Sequence, residues 1–205
     1  MPSPLEAAHV LTIAATGASG AIFTRALLQA VERDARVKAV NFIASDNALR
    51  VFAEELDIKG RSGLVEKFIG AKPGKICQQN NDDIGANVAS GSYPTHAMIV
   101  LPCSMGSLAG IAQGLARNLI ERAADVCLKE KRPLVLCVRE TPLNRIHLRN
   151  MTWAAAAGAT IYPLIPTFYN HPRTLDDMTH QFACRVLAFV GLPQEDAYVW
   201  GKHPQ

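Results

Sequence analysis

The sequence predicts one α/β domain in which a parallel β-sheet carries helices on both of its faces. Short apolar segments of strand length alternate with longer segments whose apolar residues recur at helical spacing. The length of 205 residues suits one domain of this class better than two. Hydrophobic residues make up 49% and charged residues 19%, so the chain can bury a full core. We therefore interpret residues 1–205 as one domain, with a core at 9–192 and a short tail at 193–205.

The first half of the chain contains two strand–helix pairs and then a long connection. Residues 9–16 (HVLTIAAT) form a short apolar run that ends at Gly17, which is typical of a buried parallel strand. The small residues that follow predict a turn, and residues 22–32 predict a helix. Residues 37–44 and 46–56 repeat this order of strand and helix. Residues 60–88 are less regular, and we expect a long loop with one short helix there.

The second half of the chain resumes the alternation. Residues 97–101 (AMIVL) predict a third strand that ends at Pro102, and the apolar spacing from residue 108 predicts one helix through to about Lys129. The fourth strand is predicted at 134–138, and the helix at 143–157 is closed by Gly158. A fifth strand at 160–165 and a last helix at 175–190 complete the pattern. Strands separated by helices in this way indicate a parallel sheet.

Composition and charge exclude several classes of function. The chain has 21 Lys and Arg against 18 Asp and Glu, and a net charge of +3 is too small to indicate nucleic-acid or membrane binding. The five cysteines are widely spaced and form no CxxC motif, which favours neither a disulfide framework nor a zinc site. Residues 1–8 have no signal-peptide pattern, and no apolar run reaches the length of a membrane span. We therefore expect a cytoplasmic protein.

Ligands of an open parallel sheet bind at the carboxyl ends of its strands, so the loops that follow the strands are the candidate site. After the first strand, Gly17, Ala18 and Ser19 allow close approach of a ligand to the backbone, and the start of the next helix offers N–H groups to an anion. A plain tight turn is an equally good interpretation of this loop. Ser45 follows the second strand, where capping of the next helix is the stronger interpretation on local grounds.

Further polar loops flank the third strand and follow the fourth. Residues 102–107 (PCSMGS) place two hydroxyls and a glycine at a helix start, where they are either caps or a second anion cradle. Residues 89–92 (ASGS) form another small polar loop before the third strand. Arg139 follows the fourth strand, and its guanidinium suits a phosphate, with a salt bridge to Glu140 as the alternative. Several such loops at neighbouring strands favour phosphate binding.

A second anion site is indicated beyond the fifth strand. Tyr169, together with Arg185 on the last helix, can clamp a small anion, although a lone arginine is more often a solvated or salt-bridged surface residue. His147 and His171 show no metal-ligand spacing with Cys, Asp or Glu, so we expect no metal. There is no GxSxG motif and no convincing Ser–His–Asp arrangement. The residues themselves predict an α/β protein that binds a phosphorylated ligand.

Several motifs, taken together and in order, resemble the flavin prenyltransferase family, often called UbiX. They are TGASGA from residue 16, ASGS at 89–92, LPCSM at 101–105, ERAADV at 121–126, RETPL at 139–143, HLRNM at 147–151 and FYNHP at 168–172. The resemblance extends from about residue 9 to residue 192. No single motif is specific, whereas the combination of LPCSM, ERAADV, RETPL and FYxxP in that order is highly specific.

The resemblance implies a flavodoxin-like or Rossmann-like fold that assembles as a homododecamer with active sites at subunit contacts. It implies an enzyme that joins dimethylallyl monophosphate, or the pyrophosphate, to reduced FMN. The product would be prenylated FMN, which serves a UbiD-type decarboxylase, and no metal would be needed.

By position, the resemblance implies three groups of site residues. Those that would hold FMN are Gly17, Ala18, Ser19, Ser45, Ser104, Met105, Gly106, Ser107 and Arg139. Those that would hold the prenyl phosphate are Ser90, Gly91, Arg122, Lys129, Tyr169 and Arg185. Those that would take part in catalysis are Ser19, Glu55, Lys129, Glu140 and Trp200.

Two other functions remain open on the sequence. One is a flavin-dependent cysteine decarboxylase of the same broad fold, which typically has a PASANT-like loop and a catalytic histidine near the first helix. Here the loop reads PCSMGS, and neither of the first two predicted helices contains a histidine. The other is a non-catalytic carrier of FMN or prenylated FMN. Lys129, Glu140, Tyr169 and Arg185 argue against pure carriage, because FMN binding alone does not need a second anion site.

Overall fold

The computed structural model describes residues 9–201, so the interpretations of residues 1–8 and of positions 202–205 lie outside the described residues. The strands are β1 (His9–Ala15), β2 (Val37–Ala44), β3 (Ile76–Gln79), β4 (Ala97–Cys103), β5 (Leu134–Val138) and β6 (Thr160–Ile161). The α-helices are α1 (Ala21–Arg33), α2 (Asp46–Leu56), α3 (Leu64–Ile69), α4 (Met105–Ala112), α5 (Leu119–Lys129), α6 (Arg145–Ala156) and α7 (Leu175–Phe189). A short 3-10 helix lies at Asn87–Ala89.

The sheet confirms the predicted α/β class and gives it a definite topology. The strands lie in the order β3-β2-β1-β4-β5-β6, and every pairing between neighbours is parallel. This is the order of the doubly wound Rossmann-type sheet, in which the chain moves outward from β1 in one direction and then restarts at β4 in the other.

The core lies on both faces of the sheet because its central strands are apolar along their whole length. All seven residues of β4 are buried. Side chains of a strand point alternately to opposite faces, so Ile99 and Leu101 pack into one core, whereas Met98 and Val100 pack into the other. Within residues 9–201, none of the helices combines the length and hydrophobicity that a bilayer span requires.

Three strands differ from the sequence-based expectation, and the simplest difference is that β6 covers Thr160–Ile161 instead of residues 160–165. β3 lies inside the segment predicted as a loop, because its four residues (ICQQ) are mostly polar and only Ile76 is buried. Its position at the sheet edge, paired with β2 alone, does not require a fully apolar strand. β4 continues through Pro102 to Cys103, which pairs with Val138, so Pro102 does not end the strand as predicted.

The helix predicted from residue 108 to about Lys129 is instead two helices. Between α4 and α5, Gly114 and Ala116 adopt left-handed backbone conformations, with φ of 64° and 49°. Asn118 then caps α5, because its side chain accepts a hydrogen bond from the backbone N–H of Glu121. The apolar spacing is helical on both sides of this turn, which hides the break from a periodicity argument.

Candidate functional site

The candidate site lies at the carboxyl ends of β1 and β4, where the strand order reverses. β1 and β4 are neighbours in the sheet. The chain continues from β1 toward β2 and from β4 toward β5, which lie in opposite directions along the strand order, and a crevice opens between the two connections. The loop of residues 16–20 and the loop of residues 104–107 border this crevice. The structure therefore brings together two of the loops that the sequence singled out.

Thr16 joins these two loops. Its hydroxyl donates to the backbone oxygen of Pro102 at 3.0 Å and accepts from the backbone N–H of Ser104 at 2.7 Å, and its own N–H also reaches the Pro102 oxygen at 3.1 Å. Thr16 is buried. Sequence reasoning missed this role, although a hydroxyl at the end of an apolar strand, directly before Gly17, was a usable signal.

The backbone N–H groups at the start of α1 already have a hydrogen-bond acceptor within the chain, the carboxylate of Glu55. Glu55 Oε2 accepts hydrogen bonds from the backbone N–H groups of Gly20 at 3.0 Å and Ala21 at 2.8 Å, and its Oε1 lies 3.2 Å from the Gly20 nitrogen. A carboxylate at a helix N-terminus complements the helix dipole. The expectation that these N–H groups are available to a bound anion is therefore wrong.

The rest of the first loop is organised by internal contacts. An added Cβ on Gly17 would overlap the Cβ of Asn47 on α2, so packing against α2 requires a glycine there. Ala18 is buried, and its N–H donates to the backbone oxygen of Thr16 at 2.8 Å. Ser19 is exposed at the tip of the loop. Of these three residues, Ser19 presents its side chain most openly toward a ligand.

Replacing Gly20 with alanine is expected to lower the free energy of unfolding by about 1–2 kcal/mol. Gly20 has φ of 124°, and an added Cβ would lie 3.0 Å from Leu164 Cδ1. Urea unfolding measures the change. The matched control is Gly106→Ala in α4, where an added Cβ meets nothing within 4 Å. Alanine there should raise stability by about 0.5–1 kcal/mol, and an equal loss in both variants would contradict the argument.

Serine caps open the helices that follow β2 and β4. Ser45 accepts from the N–H of Ala48 at 3.1 Å, which confirms its interpretation as a cap of α2. Ser104 caps α4 by accepting from the N–H of Ser107, and the two hydroxyls lie 3.2 Å apart. Met105 is buried beneath this turn. The first N–H groups of α4 have no intrahelical acceptor, so this helix start remains able to bind an anion.

Cys103, which precedes this turn, is not a nucleophile. Its side chain is buried, and burial raises the pKa of its thiol to about 12. A thiol with that pKa stays protonated at neutral pH, whereas the thiolate is the reactive form. In the PCSM motif, Ser104 and the start of α4 therefore face the candidate site as possible ligand contacts, whereas the thiol of Cys103 is part of the core.

Arg139 provides a cationic group at the end of β5 that no carboxylate of the described residues neutralises. Its backbone N–H donates to the oxygen of Cys103 at 3.2 Å, which holds it beside the α4 start. Its exposed side chain forms no ion pair or hydrogen bond with any residue between 9 and 201. The alternative of a salt bridge to Glu140 is wrong, because the Glu140 carboxylate instead accepts from the N–H of Thr141 at 2.9 Å.

A second cationic group lies beyond β6. Arg185 on α7 donates to the hydroxyl of Tyr169 at 2.7 Å and forms no salt bridge with another described residue. It lines a cavity of about 230 Å³ together with Tyr162 and Thr167. Burial raises the pKa of Tyr162, and the nearby Arg185 opposes that rise. The predicted pairing of Tyr169 with Arg185 is present in the structure.

The C-terminal tail extends this corner with aromatic rings. The Trp200 ring lies 5.3 Å from that of Tyr169 in an edge-on arrangement, and the Tyr198 ring lies 5.5 Å from it. Leu164, which follows β6, donates its N–H to the oxygen of Val138 at the end of β5, and its Cδ1 lies 3.0 Å from the position of a Cβ added to Gly20. Arg139 thus follows β5, and the Arg185–Tyr169 corner follows β6, its neighbour in the sheet.

Comparison with known proteins identifies the family. The family model named Flavoprotein matches residues 2–180. The protein named flavin prenyltransferase UbiX from Halalkalibacterium halodurans is 42% identical over 195 residues, which cover 94% of each chain. This chain belongs to the UbiX flavin prenyltransferase family.

Solved structures agree with this assignment. The structure of AnUbiX (PadA1) in complex with FMN and dimethylallyl pyrophosphate has a TM-score of 0.85 and 37% identity, covering 96% of this chain and all of that chain (100%). A dodecameric FMN-dependent UbiX-like decarboxylase from Escherichia coli O157:H7 has a TM-score of 0.83 and 40% identity, covering 93% of this chain and 98% of the other. The cypemycin decarboxylase CypD, at 17% identity and a TM-score of 0.59, shares the fold alone.

One predicted group in this UbiX-family chain lies away from the crevice. Gly91 contacts the ion pair of Lys129 and Glu130, whose Nζ and Oε1 lie 2.6 Å apart, and an added Cβ on Gly91 would overlap that pair. Arg132 fixes this loop by donating to the backbone oxygens of Gly91 and Tyr93. Ser90 lies in the same loop, with its hydroxyl 2.9 Å from that of Ser92.

We call Ser90, Gly91 and Lys129 the amino-edge group, because they lie where the amino ends of the strands meet. Arg139 lies where the carboxyl ends of the strands meet. The residues of the amino-edge group precede β4 and β5, whereas Ser104 and Arg139 follow those strands. β4 has seven residues, so its two ends are separated by roughly 20 Å. Arg122, also on α5, pairs with Asp125 at 3.0 Å. One chain therefore does not unite the amino-edge group with the crevice.

Proposed function

We propose that this protein is a flavin prenyltransferase, which joins the dimethylallyl group of a prenyl phosphate to reduced FMN and releases phosphate. The observation that carries the proposal is a pair of arginines after neighbouring strands, Arg139 and Arg185, neither of which forms a salt bridge within residues 9–201. Two separate cationic groups suit two separate anions, the phosphate of FMN and the phosphate of the prenyl donor. The UbiX relatives carry the same activity in their names.

The residues around the crevice fit FMN. The α4 start, the hydroxyls of Ser104 and Ser107, and the guanidinium of Arg139 offer donors to phosphate and to polar flavin atoms. Because Glu55 satisfies the α1 start, the phosphate should bind on the Arg139 side of the crevice. Gly17, Ala18, Ser19 and Ser45 would border the ligand from the β1 and β2 side. Reduced FMN, when bound, supplies the nucleophilic ring atoms of the reaction.

Arg185 and Tyr169 would hold the phosphate that leaves. Charge develops on the phosphate oxygens as the allylic C–O bond breaks, and preorganised donors stabilise that charge most where water is excluded. The aromatic rings of Tyr169 and Trp200 offer π faces to positive charge on the prenyl carbon. The Arg185–Tyr169 hydrogen bond of 2.7 Å orients both donors before the ligand binds.

Glu140 is the better candidate of the two acids for moving the proton that ring closure releases. Its carboxylate is exposed, and within residues 9–201 it accepts from the neighbouring N–H of Thr141 alone. Glu55 accepts from two N–H groups of the α1 start, and protonation of its carboxylate would weaken both bonds. We therefore assign Glu55 to positioning of the first loop and Glu140 to proton transfer.

A neighbouring subunit would supply the amino-edge group. Lys129 and Ser90 lie too far from Arg139 to act in the same site of one chain, so they can reach the prenyl phosphate only from another chain. Arg122 would join them at that contact. The dodecameric UbiX-like structure from Escherichia coli O157:H7 makes a homododecamer the natural assembly to propose for this chain. A cytoplasmic location and a UbiD-type decarboxylase as recipient of the product complete the proposal.

The two rival functions receive less support. A cysteine decarboxylase is disfavoured because α1 and α2 contain no histidine, and because likeness to the cypemycin decarboxylase extends only to the fold. A pure carrier would not need the Arg185–Tyr169 corner in addition to Arg139. The carrier nevertheless makes a distinct prediction, which is tight flavin binding without any change in the flavin.

The test is anaerobic incubation of the protein with reduced FMN and either dimethylallyl monophosphate or the pyrophosphate. The flavin should gain one five-carbon unit, seen by mass spectrometry, and the matching phosphate should be released. The purified protein should also bind FMN and not NAD, because Arg139 and the α4 start together provide donors for one phosphate group. An unaltered flavin with both donors would favour the carrier, and binding of NAD without FMN would remove the flavin proposal altogether.

A further inference from the structure

Three metal-ligand side chains meet at a place that the proposed reaction does not use. His180 and Cys184 are four residues apart on one face of α7, and Asp196 lies in the tail that follows the helix. His180 Nε2 lies 2.7 Å from Asp196 Oδ2 and 3.4 Å from Cys184 Sγ, and Cys184 Sγ lies 3.9 Å from Asp196 Oδ1. We call these residues the α7–tail cluster.

The geometry of the imidazole argues against a catalytic relay. A Cys–His–Asp relay uses the two ring nitrogens separately, one for the thiol and one for the carboxylate. Here a single nitrogen, Nε2 of His180, faces both Cys184 and Asp196. One ligand atom from each of the three residues lies within 4.8 Å of the other two, which is close enough for all three to reach one cation.

Hydrogen bonds with Gln181 hold the C-terminal tail against α7 and keep Asp196 beside His180 and Cys184. The side-chain amide of Gln181 donates to the backbone oxygen of Asp196 at 3.1 Å, and the backbone N–H of Tyr198 donates to Gln181 Oε1 at 2.8 Å. Cavities of about 280 and 370 Å³ lie beside His180 and Asp196. Asp196 is thus anchored next to the cluster, and an ion has a route to it from solvent.

We propose that His180, Cys184 and Asp196 bind one zinc ion, with water as the fourth ligand. Imidazole nitrogen, thiolate and carboxylate are the ligand types that zinc prefers. Zinc–ligand bonds of about 2.0–2.3 Å in a tetrahedron separate neighbouring ligand atoms by roughly 3.3–3.6 Å. The Nε2–Sγ separation of 3.4 Å lies in that range, whereas Asp196 places Oδ2 2.7 Å from Nε2 and Oδ1 3.9 Å from Sγ, so a rotation of the carboxylate would complete the site.

Zinc binding would also balance the charges of the cluster. Burial, together with the Asp196 carboxylate, raises the pKa of the Cys184 thiol to about 12. Without a cation the thiol therefore stays protonated. When zinc binds, the sulfur–hydrogen bond is exchanged for a sulfur–zinc bond and the proton passes to solvent. The ion would join the tail to α7 through Asp196 and would raise the stability of the chain in proportion to its binding.

Cobalt titration of the full-length, tag-free, chelator-treated protein tests the site. Cobalt substitutes for zinc in tetrahedral sites, so about one equivalent should bind, give a sulfur-to-cobalt charge-transfer band and be displaced by zinc. Cys184→Ser should abolish the band, whereas Cys77→Ser, at an exposed cysteine outside the cluster, should retain it. Asp196→Asn should weaken zinc binding at least about tenfold.

Asp196→Asn keeps the test decisive even if Cys184→Ser fails to fold, because Asp196 is exposed and its substitution does not disturb the core. Elemental analysis after gel filtration gives the zinc content independently of any spectrum. Absence of stoichiometric zinc or cobalt in the wild-type protein would overturn the proposal. Binding that Cys184→Ser and Asp196→Asn leave unchanged would overturn it as well, since the ion would then lie elsewhere.

Discussion

Arg185→Ala is expected to lower the kcat/KM for the prenyl phosphate by roughly ten- to hundredfold while FMN binding stays unchanged. Arg185 donates to the hydroxyl of Tyr169, also interacts with Tyr162, and forms no salt bridge with another described residue, so its charge is available to a bound phosphate. Tyr169→Phe removes the hydroxyl alone and should give a smaller loss in the same direction. Steady-state prenylation assays and FMN titration separate the two effects.

Arg50→Ala is the matched control for Arg185→Ala. Arg50 is an arginine on α2 whose side chain is 82% exposed and pairs with Glu54, away from the candidate site. Its removal should leave both prenylation and FMN binding unchanged. A loss of FMN binding in Arg185→Ala would show instead that this arginine binds the flavin phosphate, and the assignments of Arg139 and Arg185 would have to be exchanged.

The sequence was most informative where one residue pattern had one structural solution. The bounds of β2, α2 and β5 follow from apolar runs and a serine cap, and the structure reproduces them. β3 was not predictable in this way, because an edge strand can be polar and still pair with its neighbour. The break between α4 and α5 was hidden because the apolar spacing has the same period on both sides of it.

The sequence named candidate residues for the site, and the structure shows which of them lie near one another. Loops that follow strands share one edge of a parallel sheet, which brings Ser104 and Arg139 together. Lys129 ends a predicted helix directly before the strand at 134–138, so the predicted order already indicates the amino edge, and the sheet agrees with it.

Side-chain partners were beyond the reach of sequence patterns. Glu55 reaches the α1 start from 34 residues away along the chain, and Asp196 approaches Cys184 from the tail. Neither contact has a spacing that a motif can express. The expectation of no metal considered His147 and His171, and it overlooked His180 and Cys184, whose separation of four residues on a helix was visible in the sequence.

Mixed assemblies of two inactive variants are expected to recover activity. If the amino-edge group of one chain completes the crevice of another, Lys129→Ala and Arg139→Ala each remove one contributor to every site. Each variant alone should lose about a hundredfold or more in prenylation rate. In an equimolar mixture that is dissociated and reassembled, about a quarter of the sites would combine an intact Arg139 with an intact Lys129. Prenylation of the mixture should therefore reach about a quarter of the wild-type rate.

Two controls make the recovery specific to shared sites. A mixture of Lys129→Ala with the double variant, which lacks both side chains, should stay inactive, since no chain in it retains Lys129. The same variants mixed without dissociation should also stay inactive, because their subunits have not exchanged. If each site instead lies within one chain, no mixture of the two variants can exceed the sum of its parts. A fully active monomer in light scattering would lead to the same conclusion, and Lys129 would then act from the amino edge only through the stability of its own chain.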